Sequence, residues 1–320
     1  MKTKNDKLKI LSNISDELLK SLVSCNICPR HCGVDRLSGK LGFCKAPLDA
    51  KIFSYQSHFG EEPPISGTNG SGAIFFSGCN LRCVYCQNYK FSQTISGKSY
   101  TPESLAGIML ELESKGSHNI NLVTPTPYIP QIVKALEIAT RRGLDIPIVY
   151  NTSGYEDPLI LKKLDGIVDI YLADIRYSKS AGSKLYSAAE DYFIFCKNAV
   201  KEMQKQVSGL KINSSGIAQK GLIIRILVFP GDAGGLEDIF KFISQEISNE
   251  TYISLLSQYF PTHNANQFSR INRHITSNEY NKAVALLEKY NLSNGWVQEY
   301  RSSLDMHFAG PYIKKRKDIK

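Results

Sequence analysis

Apolar strand-like runs alternate with helix-like segments six times from residue 71 onward, and this alternation constrains the fold more than any other feature. The strand-like runs are Ala73–Phe76, Asn119–Val123, Ile146–Tyr150, Val168–Ala173, Leu222–Phe229 and Ile253–Leu256. Each precedes a segment with helical apolar spacing, and the longer predicted helices lie near Pro102–Ser114, Ile129–Arg141, Lys184–Lys205 and Asn278–Tyr290. Such alternation predicts an α/β fold with a parallel sheet and right-handed crossovers. Six units are fewer than the eight of a closed barrel, so a partial (β/α)6 barrel and a doubly wound sheet both fit.

Composition and charge narrow the class of protein. The chain has 320 residues, of which 42% are hydrophobic, and no apolar run is long enough to cross a bilayer. The N-terminal residues lack the apolar segment of a secretion signal, so we expect a cytoplasmic protein without a membrane partner. The net charge is +9. Part of it lies in the C-terminal residues 314–320, which we interpret as a solvated basic tail rather than a nucleic-acid contact.

Polar residues follow each predicted strand. In parallel α/β sheets these positions share one edge, where function gathers. The segments are residues 79–86, 124–127, 151–154, 174–176, 230–232 and 257–259. We therefore predict a single active site at this edge. Glu61 and Glu62, before Pro63 and Pro64, either reach this rim or lie in a solvated loop.

Three cysteines, Cys79, Cys83 and Cys86, occupy the segment after the first strand with the spacing C-x3-C-x2-C. Three thiolates at this spacing can hold three irons of a [4Fe–4S] cluster and leave the fourth iron open to a small molecule, whereas electron-transfer clusters are closed by four cysteines. A structural zinc site needs four ligands, and no fourth Cys or His lies nearby in sequence. The spacing therefore favours a cluster that can bind a ligand.

Four further cysteines precede this loop. Cys25, Cys28, Cys32 and Cys44 have the spacing C-x2-C-x3-C-x11-C, which suits a closed site for zinc or for a second [4Fe–4S] cluster. We assign residues 1–70 to an N-terminal helix and a Cys-rich metal-binding module, and residues 71–320 to the barrel with its basic tail. Cys196, among apolar neighbours, is interpreted as a buried structural cysteine.

The chain resembles the radical S-adenosylmethionine (SAM) superfamily. The cysteine loop has an aromatic residue, Tyr85, before its last cysteine, as in that superfamily. Residues 25–34, 58–67 and 76–83, together with 123–126 and 257–259, resemble the PflX-like branch related to pyruvate formate-lyase activating enzyme. The resemblance implies a partial (β/α)6 barrel of the TIM type, a [4Fe–4S] cluster and SAM. It also implies reductive cleavage of SAM to a 5′-deoxyadenosyl radical that abstracts hydrogen from a substrate.

The resemblance also implies roles for individual residues. Tyr85 is expected near the adenine of SAM, and Thr124, Pro125 and Thr126 where the family holds the amino group with a Gly-Gly-Glu stretch. This chain lacks that carboxylate, so carbonyl and hydroxyl oxygens would serve instead. The other expected SAM contacts are Asn151, Ser153, Asp174, Arg176 and Arg225. Arg176 stands where relatives often carry lysine, which changes the hydrogen-bond geometry.

The substrate and the catalytic residue that follows radical formation are not evident from the sequence. The resemblance implies an oxidoreductase with an electron donor such as flavodoxin or ferredoxin. Its substrate is either a glycyl residue of a partner protein, which becomes a radical, or a different protein, an RNA or a small metabolite. The alternative is a non-catalytic Fe–S or zinc protein that transfers electrons or acts as a scaffold.

Overall fold

A computed structural model describes residues 3–300 and the backbone of residues 313–315; the rest of the predicted basic tail lies outside the described residues. Its strands are β1 (Ala50–His58), β2 (Ser71–Phe76), β3 (Lys98–Tyr100), β4 (Ile120–Val123), β5 (Ile148–Thr152), β6 (Ile170–Asp174), β7 (Lys211–Ile212), β8 (Ala218–Leu227), β9 (Tyr252–Leu256), β10 (Gly295–Gln298) and β11 (Ile313–Lys315).

The helices are α1 (Lys4–Lys20), α2 (Pro63–Ser66), α3 (Tyr89–Ser92), α4 (Pro102–Ser114), α5 (Ile129–Arg141), α6 (Pro158–Lys162), α7 (Ser180–Ser187), α8 (Tyr192–Val207), α9 (Leu236–Phe242) and α10 (Ser277–Lys289). Local sequence explains several starts. Thr101 caps α4 before a proline in its first turn, and Thr276 forms a capping box with Glu279 at α10. No described helix is long and apolar enough to span a membrane.

The predicted parallel sheet is confirmed. Within the described part of the chain, the strand order is β11-β10-β9-β8-β6-β5-β4-β2-β1-β3, with β7 paired to β8. The strands from β2 to β10 in this order run parallel, and β1, β3 and β11 are antiparallel additions at the two edges. All six predicted strands are present, and β10 is a seventh parallel strand that periodicity did not reveal.

The sheet curves into a partial barrel rather than forming a flat, doubly wound layer. Asn121 on β4 and Arg225 on β8 both bond the same Glu61 carboxylate, at 2.9 and 3.2 Å. These strands lie three strand spacings apart, about 14 Å in a flat sheet. Strand curvature brings the two side chains to one inner point. The fold therefore matches the predicted α/β class and partial barrel.

The two faces of the sheet are filled differently. Outward residues such as Ile74, Leu122 and Ile224 belong to the main core, which α4, α5 and α8 cover. Inward residues of the lower barrel, including Val149 and Leu172, form a second cluster with Ile65 of α2. Helix α2 follows β1 and so lies where the parallel strands begin. It closes the bottom of the barrel and leaves the carboxyl edge open.

The N-terminal residues are integrated with the barrel. Leu11, Leu18 and Leu22 belong to the main core, and β1 pairs with β2. The predicted boundary at residue 70 therefore falls between two paired strands, and the division into 1–70 and 71–320 stays a prediction. The Cys-rich module also contains β1, a strand for which the sequence shows no regular pattern. Its burial does not alternate regularly, so periodicity could not identify it.

Candidate active site

A cavity of about 210 Å³ opens at the carboxyl edge of the sheet. The loop after β2 forms one wall through Cys79, Cys83, Tyr85 and Cys86. The ends of the other parallel strands form the rest, with Val123, Thr124, Asn151, Ser153, Asp174, Arg176, Arg225, Leu227, Leu256 and Gln258. The structure thus brings ten of the twelve predicted SAM and cluster residues, Cys86 and Ser153 among them, to one cavity. Pro125 and Thr126 are not among the lining residues.

The cysteine loop is held tightly against the N-terminal module. Gly78, just before Cys79, has φ +86°, and a Cβ at this glycine would lie 2.7 Å from the carbonyl oxygen of Cys44. Only glycine fits such a close approach with a left-handed backbone. Arg82 donates to the Cys79 carbonyl at 3.0 Å and to the Phe43 carbonyl. The shape of the loop is therefore fixed from outside the barrel.

The three thiols of the loop are free and close together. Burial, followed by the charge of the neighbouring Cys83, raises the pKa of Cys79 to about 12, and Cys86 adds to the effect. Deprotonated ligands here need compensation by a cation or a metal centre.

Each sulfur of the loop lies within hydrogen-bond distance of a polar group of the protein. The Leu81 N–H donates to Cys79 Sγ at 3.4 Å, and the Ser187 hydroxyl donates to Cys83 Sγ at 3.0 Å. Ser92 Oγ lies 3.1 Å from Cys86 Sγ. The two serines end α7 and α3, respectively. Sequence reasoning missed both, since a serine near a helix end carries no signal for contact with a distant sulfur.

These residues fit a [4Fe–4S] cluster with one open iron. The cavity walls contain three cysteines, and neither a fourth cysteine nor a histidine is among the described lining residues. Across residues 3–300, no three Cys, His, Asp or Glu side chains converge to hold a single metal ion. Polar atoms of the strand ends face the cysteines across the cavity. A small ligand of an open iron would meet those polar groups.

The segment after β4 divides into a cavity-facing and a buried residue. Thr124 lines the cavity with φ +60°, and its N–H donates to the Asn151 carbonyl at 3.0 Å. Thr126 is only 2% exposed, and its hydroxyl donates to Glu156 at 2.6 Å. The two threonines therefore act in different places, and the role of each toward SAM stays a prediction.

Glu156 is a buried carboxyl group that sequence reasoning did not identify. Burial raises its pKa to about 7, although hydrogen bonds from Thr126 and Thr152 act in the opposite direction. Residues 124–126 lack the family's carboxylate, as expected. The carboxyl group of Glu156, in the loop after β5, lies behind them. It does not line the cavity, so it supports the wall rather than a ligand directly.

A charged network forms the cavity floor. Asp174 accepts from Arg225 Nε at 2.7 Å and from Arg176 Nη2 at 2.5 Å. Arg225 also donates to the side-chain oxygen of Asn151 at 2.6 Å and to the Glu61 carboxylate at 3.2 Å. The carboxylates Asp174 and Glu61 hold the pKa of Arg225 above its ordinary value despite burial. The predicted residues Asn151, Asp174, Arg176 and Arg225 are therefore mutually bonded.

Glu61 and Glu62 are both buried, so the solvated-loop alternative is wrong for them. They enter the barrel from below, just before α2, and Glu61 reaches the floor network through Arg225. Burial raises the pKa of Glu62, and one of its carboxyl oxygens has no hydrogen-bond partner among the described residues. The adjacent prolines, which start α2, turn the chain inward at this point.

Tyr85 and Ser153 complete the predicted SAM residues. The Tyr85 ring packs against Phe229 and Tyr259, with ring centroids 4.8 and 5.9 Å away. The Ser153 carbonyl accepts from the Tyr192 hydroxyl at 2.7 Å, and that hydroxyl also accepts from the Arg176 N–H at 3.0 Å. Tyr192 of α8 thus ties two cavity loops together. The SAM contacts proposed for both residues stay predictions.

The four N-terminal cysteines lie next to the cysteine loop. Burial raises the pKa of Cys28 and of Cys44, and neighbouring cysteines, including Cys25, add to both shifts. Arg30 of this module donates to the Asn80 carbonyl at 2.8 Å. Cys32 lies in the same loop, against Gly42. Whether this site holds zinc or a second cluster stays a prediction.

Comparisons with known proteins give a family match and two curated relatives. The model of the radical SAM superfamily matches residues 73–175. The uncharacterized protein MJ0674 of Methanocaldococcus jannaschii is 31% identical over 303 residues, which cover 90% of this chain and 82% of that protein. The uncharacterized protein MJ0808 of the same organism is 25% identical over 259 residues, 74% of this chain and 70% of its own length.

Among solved structures, methylornithine synthase (PylB) aligns with a TM-score of 0.47 and 14% identity over 92% of this chain and 75% of its own. HydG, a maturase of the [FeFe]-hydrogenase, has the same TM-score and identity over 69% of this chain and 49% of its own. The family match covers β2 to the end of β6, including the cysteine loop and the floor carboxylate Asp174. This chain belongs to the radical SAM superfamily.

Proposed function

We propose that this protein is a radical SAM enzyme that cleaves SAM reductively and uses the 5′-deoxyadenosyl radical to abstract hydrogen from a substrate. One observation carries the proposal. Three cysteines and a bonded set of charged residues, from the loop after β2 and the ends of β5, β6 and β8, face the same cavity. A cluster alone would need only the cysteines. The polar wall opposite them suits a charged ligand of the open iron.

Cys79, Cys83 and Cys86 would hold the cluster, which would supply the electron that breaks a carbon–sulfur bond of SAM. The protein's own residues bind and orient SAM. Asp174 and Arg225 offer a carboxylate and a guanidinium on one floor, which suits the ammonium and carboxylate groups of the methionyl end. Thr124 and Asn151 add polar atoms beside them.

The apolar part of the cavity protects the reaction from water. Val123, Leu227 and Leu256 line it at the strand ends, and Tyr85 lines it from the cysteine loop. A reactive carbon radical would otherwise be quenched by side reactions in an open, wet site. These side chains thus confine the substrate hydrogen to the space next to SAM.

The substrate that we propose is a glycyl residue of a partner protein, as in the PflX-like branch related to pyruvate formate-lyase activating enzyme. The motifs at residues 25–34, 58–67 and 76–83 support this proposal. It is tested by incubating the reduced enzyme and SAM with glycyl-radical enzymes of the same organism. A glycyl-radical EPR signal that requires both SAM and this protein would support it, and its absence with every such enzyme would contradict it.

Reducing power would come from a flavodoxin or a ferredoxin, and the N-terminal cysteines would hold zinc or a second [4Fe–4S] cluster. The variant with Cys79, Cys83 and Cys86 all changed to Ala separates the two metals. Iron with sulfide remaining in that variant would indicate a second cluster, whereas zinc would indicate a structural site.

The main test is anaerobic reconstitution with iron and sulfide, reduction, and measurement of 5′-deoxyadenosine and methionine. We expect both products in equal amounts from the wild-type chain and none from Cys83→Ala. The matched control is Cys196→Ala, because Cys196 is a buried cysteine that does not line the cavity. A protein that takes up iron but never cleaves SAM would instead favour the non-catalytic electron-transfer or scaffold alternative.

A further inference from the structure

We propose that Ser187 and Ser92 set the reduction potential of the cluster by donating hydrogen bonds to the thiolates of Cys83 and Cys86. The inference rests on the proposed function, since it requires a cluster at the cysteine loop. It assigns a role to two serines that belong to none of the sequence motifs.

Ser187 is held beside Cys83 by backbone contacts with the residues on either side of that cysteine. It is fully buried at the end of α7, with its hydroxyl 3.0 Å from Cys83 Sγ and 2.8 Å from the Tyr177 hydroxyl. The Arg82 N–H donates to the Ser187 carbonyl at 3.1 Å, and the Val84 N–H donates to the Tyr186 carbonyl at 2.9 Å. The end of α7 is thus docked on the backbone that flanks this cysteine, and the hydroxyl cannot drift away from the sulfur.

Ser92 occupies the equivalent position beside Cys86. It is 3% exposed at the end of α3, and its hydroxyl lies 3.1 Å from Cys86 Sγ. The Gln93 side-chain amide donates to the Ser92 oxygen at 3.4 Å. The serine oxygen is therefore already an acceptor, and its own hydrogen is available to the sulfur.

A metal-bound thiolate accepts hydrogen bonds and cannot donate one, so in the loaded protein a hydrogen bond between either hydroxyl and its sulfur has the hydroxyl as donor. Reduction adds one electron to the cluster and increases the negative charge shared by its sulfur ligands. A donor aimed at such a sulfur therefore stabilises the reduced form more than the oxidised form, and hydrogen bonds to sulfur are one of the factors that set the potential. Removing either hydroxyl should make the cluster harder to reduce.

The simpler interpretation is that both serines only fill space between the loop and its neighbours. That role would affect stability but leave the potential unchanged. Ser183 offers a matched control, because it is a buried serine of the same α7 whose hydroxyl donates to the Ser180 carbonyl at 3.1 Å instead of to a sulfur.

The experiment measures midpoint potentials by EPR-monitored redox titration of the reconstituted full-length protein, without SAM. The variants are Ser187→Ala, Ser92→Ala, the double variant and Ser183→Ala, each checked for iron and sulfide content. We expect more negative potentials for both single variants, the largest shift for the double variant and none for Ser183→Ala. At the wild-type midpoint, less than half of the cluster in each single variant should then be reduced.

The outcomes separate the two proposals. Wild-type potentials in cluster-loaded Ser187→Ala and Ser92→Ala would overturn this inference and leave the proposed function intact. Failure of the wild-type chain to assemble a cluster would overturn the proposed function itself. If Ser187→Ala does not retain its cluster, Ser92→Ala decides the inference by the same titration.

Discussion

At the scale of single residues, Thr124 shows how a cavity position is maintained against local preference. A threonine with φ +60° is strained, because its branched Cβ crowds the backbone in the left-handed region. The strain is held in place by the hydrogen bond from its N–H to Asn151, and it turns the residue toward the cavity. A strained residue in a cavity wall is typical of a position kept for binding rather than for stability.

Replacing Thr124 by glycine should therefore stabilise the fold and weaken SAM binding. We expect Thr124→Gly to raise the free energy of unfolding by about 1 kcal/mol through relief of the left-handed strain. We also expect roughly fivefold weaker SAM binding, since the hydroxyl is lost. Urea unfolding of the apoprotein and SAM titration of the reconstituted protein measure the two effects.

Ser208→Gly is the matched control for this substitution. Ser208 has the same φ of +60°, but it directly follows α8 and does not line the cavity. It should gain stability without any change in SAM affinity. A Thr124→Gly variant that binds SAM as tightly as the wild type would remove Thr124 from the binding site.

At the scale of elements, the segment before α2 carries charge into the barrel. Glu61 is bonded by Asn121, Asn151 and Arg225, at 2.9, 3.3 and 3.2 Å, and so links β4, β5 and β8 at their inner face. Glu62, its neighbour, has an unpartnered carboxyl oxygen. Both carboxylate oxygens of Glu61 thus accept hydrogen bonds, whereas the adjacent Glu62 has one oxygen that accepts none from the described residues.

The two glutamates should respond differently to neutral replacement by glutamine. Glu61→Gln removes a carboxylate from a buried ion pair, so we expect a loss of about 2 kcal/mol of stability at neutral pH. Glu62→Gln should instead stabilise the fold at high pH. Because burial raises the pKa of Glu62 above its ordinary 4.5, the folded state keeps the proton that the unfolded chain releases.

It follows that the wild type loses stability as the pH rises above 4.5 through the raised pKa of Glu62, and that glutamine removes this loss. The advantage of Glu62→Gln should therefore be absent at acid pH and present at pH 8. Urea unfolding of the apoprotein at several pH values measures it. Equal effects of the two substitutions at all pH values would contradict the distinction between the ion-paired Glu61 and Glu62, whose pKa is raised by burial.

At the scale of the whole molecule, the N-terminal segments act as parts of the barrel. Helix α1 packs on α5, where Glu137 accepts from Ser15 at 2.7 Å and from Ser12 at 3.1 Å. Burial alone would raise the pKa of Glu137, but these hydrogen bonds and those from Lys134 and Arg141 hold it at about 2. This contact joins α1 to the barrel with charge as well as with apolar surface.

A chain that starts at residue 71 should consequently fail to fold as an independent barrel. It would lack β1, which covers one side of β2, and α1, whose Leu11 and Leu18 belong to the main core. We expect loss of cooperative urea unfolding, followed by fluorescence of Trp296, relative to the full chain. A truncated chain with a sharp transition of unchanged midpoint would instead favour residues 71–320 as an autonomous domain.

The sequence predicted the framework well because its signals are local. Helices α4 and α5 have the predicted ends, since a proline in the first turn marks each start. The predicted helix over Lys184–Lys205 is instead two helices, because Ala188 adopts a left-handed φ of +54° and ends α7. Alanine carries no local signal for that conformation, and contacts of the cysteine loop with the end of α7 are long-range.

By itself, the sequence determined the parallel α/β class, the cysteine loop and the strand ends that share its edge, because periodicity and residue spacing act over short distances. Only the tertiary structure decided that the sheet curves, that Glu61 enters from below to join Arg225, and that Ser187 lies against the sulfur of Cys83. The reason is that these two contacts join residues 164 and 104 positions apart, whose approach depends on strand curvature and helix docking.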